Sequence, residues 1–295
     1  MVASAQQITP VVAFHGEGPV WWPRLGVLRF LDVQAGTVCT LEKNHRVTRR
    51  HIGSAIAACI RPRAEGGAII ATERGIAVAD RDDLKDVRPW GGLIADVRQR
   101  CNDGGCDPHG RFYIGTKGYA RQSEIAALYR VDPGSASAAP VVWGLTAATG
   151  LAWSPDGQTA FLNDAGTGIT YTFDYSLEHG LENQRVFMIT PPEQGIPKGL
   201  AMDAEGGLWV AMDTAGRVNR YDRLGRLTDS VRVPVPGVTA CAFGGPNLAT
   251  MFITTSAGQV SPGGEDRAGA IFTADVGVRG LPTLPFRGEI PRHYT

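Results

Sequence analysis

At 295 residues the chain exceeds the usual single domain, although one barrel or propeller of this length is common. Lys and Arg number 29 against 29 Asp and Glu, so no basic field exists to hold nucleic acid or an anionic membrane surface. Hydrophobic residues at 43% and charged residues at 20% exclude a disordered chain, and 38 Gly with 19 Pro, scattered along the sequence, suit many short strands joined by tight turns.

The amino terminus, MVASAQQITPVVAF, has neither a basic leader nor an unbroken apolar run, and no window approaches the length of a membrane span. A cytoplasmic protein is expected. Its five cysteines, Cys39, Cys59, Cys101, Cys106 and Cys241, are odd in number and mostly embedded in apolar strings, which reads as reduced, buried thiols.

In chain order, ITPVVAF comes first and six similar units follow. Each unit opens on a turn and an apolar strand: WWPRLGVLRFLD from Trp21, RPRAEGGAIIATE from Arg61, DPHGRFYIGT from Asp107, SPDGQTAFLND from Ser154, DAEGGLWVAMD from Asp203 and GGPNLATMFITT from Gly244. Aligning them on Pro23, Pro62, Pro108, Pro155, Ala204 and Pro246 gives spacings of 39, 46, 47, 49 and 42 residues. A period of this length marks stacked supersecondary units, and alternating apolar residues between glycine-containing turns mark β-strands. The expected fold is all-β: one six-bladed β-propeller over residues 1–295, each blade a four-stranded antiparallel sheet, with ITPVVAF adding a strand to the last blade and closing the ring. The repeat-equivalent Trp21, Trp153 and Trp209 are expected in the blade cores.

The innermost strand of each blade begins beside the central channel, so equivalent residues there converge. Six residues before the anchors stand Glu17, Ile56, Asn102, Thr149 and Lys198, with Thr239 as the sixth after one extra glycine. Glu17, Asn102, Thr149, Lys198 and Thr239 should therefore form a polar ring at one mouth. The structural reading is that they merely plug the axis with hydrogen bonds. His15 lies two residues from Glu17, on the same face of a strand, as a proton relay or a packing residue. His109 replaces a turn residue, and His45, His51, His179 and His293 lie in polar or terminal contexts; no HxH or HExxH spacing supports a histidine metal site. Asp164 and Asp213, which end equivalent strands, read as turn carboxylates.

HGEGPVWW, RCNDGGCDPHGRFYIGTK, TGLAWSPDG, GIPKGLAMDAEGGLWVA, TACAFGGPNLATMFITT and AGAIFTADVGVRGLP resemble the successive signatures of the senescence marker protein, regucalcin and gluconolactonase family. The resemblance runs from His15 to about Gly280 and implies a six-bladed propeller and lactonase chemistry assisted by a divalent metal. Carried over residue by residue, the family's first metal ligand is Glu17. Its second, an Asn, is Thr149 here, and its third, an Asp, is Lys198. A lysine ammonium has no lone pair and opposes a bound cation, so no tightly bound divalent metal is expected. The resemblance also implies that Arg100 and Asn102 contact substrate, with Asp103 beside them; Lys117 and Tyr119 should wall the same mouth.

Glu17 and Lys198 can pair across the channel as a spectator salt bridge, or Glu17 can exchange protons while Lys198 stabilises an oxyanion. Asp103 can orient substrate or simply cap a turn. Three functions fit: a metal-independent hydrolase of a small lactone or ester; a lyase, isomerase or cyclase using Glu17 and Lys198 as acid and base; and a non-catalytic binding propeller. The expected partner is a small molecule.

Overall fold

The computed structural model describes residues 2–120, 122–259 and 267–289; His293 lies outside them. Six sheets stand where the repeats predict them, one per unit. The inner strands are Gly16–Trp22, Cys59–Pro62, Gln99–Cys106, Ala148–Trp153, Pro197–Met202 and Val238–Gly244. Each packs against the inner strand of the next blade, and the last packs against the first, so the ring is closed around an axis. Closure also distributes the core. Among the described residues six apolar clusters occupy the six interfaces between neighbouring blades, so each sheet buries both faces against its neighbours.

The amino-terminal segment does complete the sixth blade, but not through ITPVVAF. The pairing strand is Gln6–Gln7, which lies antiparallel to Ile271–Asp275. Pro10 has no N–H to give a ladder, and the segment after Ile8 is instead tied by the amides of Val12 and Ala13 to the carbonyl of Gly269. Val2–Ser4 runs parallel to Leu227–Arg232 and makes the fifth blade five-stranded.

Two local expectations shift, one by two residues and the other by one. Pro62 ends its inner strand instead of opening the following turn, so the six-residue offset lands on Ile56, in the loop before the strand, and buried Ala58 stands next to that strand's start. In the first blade Trp22 is the buried indole and donates to Asp82, whereas Trp21 lies on the opposite face, half-buried and stacked on Phe252. Trp153 and Trp209 are core residues as expected. All five thiols are unpaired and buried. Burial pushes Cys59, Cys101 and Cys241 up to about 12 and Cys39 to about 11, which keeps them protonated. Among the described residues no helix is long and apolar enough to cross a membrane.

The hairpin turn of the fifth blade shows how polar groups are buried without penalty. The carboxylate of Asp203 is fully buried and accepts from the amides of Glu205 and Gly207, from Trp209 Nε1 at 2.8 Å and from Arg220 Nε at 2.7 Å. Removing it leaves a partly buried guanidinium and an indole N–H without their acceptor. Asp203→Ala should therefore lower the free energy of unfolding in urea by about 3 kcal/mol.

Candidate functional site

One mouth of the channel is built from the starts of inner strands and the ends of the second strands that pair with them. The backbone is irregular there for a reason. Register shifts fall between Glu17 and Val20, Cys101 and Gly104, Thr149 and Leu151, and Pro197 and Leu200. In these four blades the bulges leave Asn102 and Lys198 outside the ladder and begin directly after Glu17 and Thr149, so they bend the strand at the positions the sequence reading singled out. Gly150 is essential to the fit: its φ is +67°, and a Cβ there would lie 2.8 Å from the carbonyl oxygen of Lys198 in the next blade.

Glu17 is buried at 4% exposure. Its Oε2 is 3.2 Å from His15 Nε2, and His15 Nδ1 is 2.7 Å from Ser256 Oγ, so the imidazole is held at both nitrogens. Ser256 follows the second strand of the sixth blade and joins this row across the ring closure. Burial by itself would raise the Glu17 carboxyl. The hydrogen bond and charge of His15, with the positive charges of Lys198 and Lys117, outweigh it and hold the group well below the usual carboxylate range. Glu17 is thus an anion at neutral pH, able to accept a proton but not standing ready to donate one.

Lys198 does not pair with Glu17. Its Nζ is 3.2 Å from Asp213 Oδ2, a carboxylate buried at the end of the adjoining strand of the same blade. Sequence reading placed Asp213 among the turn carboxylates, beside Asp164. Asp164 does serve the backbone, accepting from the amides of Thr146, Ala147 and Gly166. The difference is the neighbour: only the fifth blade places a lysine where its Asp can meet it. Asn163 donates to the Lys198 carbonyl at 2.6 Å and anchors that stretch of backbone from the fourth blade.

The residues at the positions where the resemblance implies a divalent cation do not fit one. Thr149 Oγ1 already accepts from Asn102 Nδ2 at 2.8 Å and donates to the Ala147 carbonyl, and Lys198 brings an ion-paired ammonium. Among the described residues no three His, Cys, Asp or Glu gather into a cation site.

The other expected residues divide. Asn102 and Thr149 meet, and Asn102 also bonds the Ala148 carbonyl, joining the third and fourth blades. Arg100 is buried, donates to the Cys101 carbonyl at 2.8 Å and feels the charges of Glu17 and Glu73. Asp103 is buried with both oxygens engaged, by the amide of Gly104 at 2.7 Å and of Gly150 at 3.0 Å. Burial raises its pKa despite the nearby Arg61, and Glu17 adds to the rise. Asp103 clamps two inner strands together, which is closer to the turn-capping reading than to a reacting group. Thr239 leaves the ring: it is fully buried, with its hydroxyl held between the Gly16 carbonyl and Thr254. Lys117 stands opposite Arg100 in the sheet and its charge reaches Glu17. Tyr119 is half-exposed at the rim, where its hydroxyl meets Glu73 at 2.5 Å. Glu73 and Ser256 were not singled out in the sequence; both follow second strands, a position the inner-strand offset does not sample.

Residues 15–257 match the family described as the SMP-30/gluconolactonase/LRE-like region. The chain is 32% identical over 273 residues to an uncharacterized protein of Sulfolobus acidocaldarius, covering 90% of this chain and 94% of the other. It is 30% identical over 285 residues to regucalcin of Danio rerio, covering 92% and 95% respectively. Among solved structures, the calcium-binding protein regucalcin of Agrobacterium tumefaciens superposes with a TM-score of 0.88 at 22% identity, over 97% of this chain and 99% of that one, which concerns the fold.

The two charged pairs give separable outcomes. Lys198→Met strands a buried carboxylate and should cost about 3 kcal/mol in urea unfolding, whereas Lys198→Met combined with Asp213→Leu should recover most of that loss. For Glu17, a carboxyl whose pKa falls on folding binds protons more readily when unfolded. The stability advantage of the wild type over Glu17→Gln should be complete above the ordinary value of 4.5 and shrink as the pH drops below it, measured as the difference in urea midpoints across pH.

Proposed function

The chain belongs to the SMP-30/gluconolactonase/LRE-like family, and from that premise we propose that it hydrolyses a small lactone without a resident divalent cation. The observation that carries this reading is the buried Glu17, its Oε2 3.2 Å from His15 Nε2 and close enough to Lys198 and Lys117 to feel both charges. A lactone carbonyl at this mouth has an anionic proton acceptor on one side and cations on the other.

In the proposed reaction Glu17 takes a proton from water as the water oxygen bonds to the carbonyl carbon. The carbonyl π electrons move to oxygen, and the oxyanion is stabilised by the ammonium of Lys198, positioned by Asp213. Collapse of the tetrahedral intermediate breaks the ring C–O bond, and the departing alkoxide recovers the proton from Glu17. His15 orients the Glu17 carboxylate and Ser256 orients His15. Arg100 supplies donors for the substrate's hydroxyl groups, and Asn102, whose Nδ2 hydrogens are taken by Ala148 and Thr149, offers its Oδ1 as an acceptor. An ammonium paired with Asp213 offers no free lone pair for imine formation, so the lysine acts through its charge.

The test is hydrolysis of a panel of five- and six-membered sugar lactones, followed by pH-stat titration with and without EDTA. Turnover should be insensitive to EDTA, and Glu17→Gln should lower kcat about 100-fold or more. Activity abolished by EDTA and restored by a divalent ion would overturn the metal-independent reading, and undiminished turnover by Glu17→Gln would remove the assigned base.

A further inference from the structure

The same inner strands end at a second cavity, at the opposite end of the channel from Glu17 and Lys198. It is lined by the far ends of inner strands from the first, third, fourth, fifth and sixth blades, by the turn after Trp153 and by the segment around Leu281. Its volume is about 360 Å³, within the range of about 300–1,000 Å³ usual for small-molecule sites. The walls are largely apolar: Trp21, Trp153, Leu200, Phe243 and Leu281 face it.

One cation stands among them. Arg61, from the inner strand of the second blade, lines the cavity, and a Cβ added to Gly105 would come within 3.5 Å of its Nη2, so the guanidinium lies against a wall bare of side chain. Its hydrogen bonds run to two carbonyl groups, Ile60 and Gly104, and among the described residues it forms no ion pair. These two neutral acceptors use two of its five N–H groups, and the nearby carboxylate of Asp103, whose charge it feels, spends both oxygens on backbone amides. A guanidinium beside apolar walls gains from an anion that meets its remaining donors directly. The carboxylate of Asp156, also on the lining, is exposed at the rim, with Oδ1 accepting from Ser154 and from the amide of Gln158.

We propose that this cavity is a second ligand site, separate from the lactone site, for a monocarboxylate with an apolar body, the carboxylate on Arg61 and the hydrocarbon against Trp153, Leu200 and Phe243. A single fork of donors suits one carboxylate. A multiply charged phosphate would need more cations than the walls provide, and a neutral hydrocarbon would leave Arg61 as it is.

Isothermal titration with octanoate, using octan-1-ol as the uncharged counterpart, tests the site. Octanoate should bind at least tenfold more tightly than octan-1-ol, and Arg61→Met should abolish that preference. Leu281→Trp, which fills the cavity while leaving Arg61 in place, should block octanoate and guards against a misfolded Arg61 variant. Equal binding of the two probes, binding unchanged in either variant, or no binding of octanoate at millimolar concentration would overturn the proposal.

Discussion

Everything in this molecule depends on six inner strands meeting around one axis. Side chains have little room where they converge, and backbone takes their place: a Cβ on Gly199 would lie 2.4 Å from that of Ala240, and Gly150 faces the backbone of the fifth blade as closely. The contact is then stitched by polar groups that a strand ladder would otherwise use. Asp103 ties the third blade to the amide of Gly150, Asn102 reaches Thr149 and Ala148, and Thr239 bonds the carbonyl of Gly16. Several residues that look like a ligand-facing ring are therefore partly a mechanical one. Those with polar capacity left over form the candidate site.

The charges at that mouth are neutralised locally. Glu17 and His15 belong to the edge of the first blade, and Lys198 and Asp213 to the fifth. Had the carboxylate and the ammonium met directly, each would have quenched the other across the channel. Held on separate walls, they keep a field between them, which is what a polarisable carbonyl needs. Each charge also has a fixed partner, a hydrogen bond from His15 for Glu17 and the Asp213 carboxylate for Lys198.

Fold was the more legible part of the sequence. Turn glycines and alternating apolar runs repeat in every unit, and their spacing is set by the blade itself, so errors stayed within a residue or two. Pro62 and Trp21 show the residual ambiguity: a proline can end a strand as readily as open a turn, and two adjacent tryptophans exchange faces if the register moves by one. The site was legible where it lay on inner strands, since a common offset finds Glu17, Asn102, Thr149 and Lys198. It was hidden where it depended on partners. Asp213 is indistinguishable from Asp164 by its place in the repeat, and only the lysine opposite gives it another role. Ser256 and Glu73 lie more than forty residues from the side chains they touch, His15 and Tyr119, with nothing in the local pattern to announce them.

The seam of the sixth blade has a bearing on synthesis. Gln6 pairs with Thr273, so the strand Gln6–Gln7 finds its partner only when the last blade has emerged from the ribosome. Until then four interfaces can assemble in order, each blade covering the one before it, while the first blade's far face and the incomplete sixth remain uncovered. Contacts of such long sequence separation form slowly, because the loop they close spans nearly the whole chain. Closure therefore waits for the sixth unit: a nascent chain stopped within it carries an unpaired strand edge and an apolar blade face together, the two surfaces that chaperones and aggregates recognise.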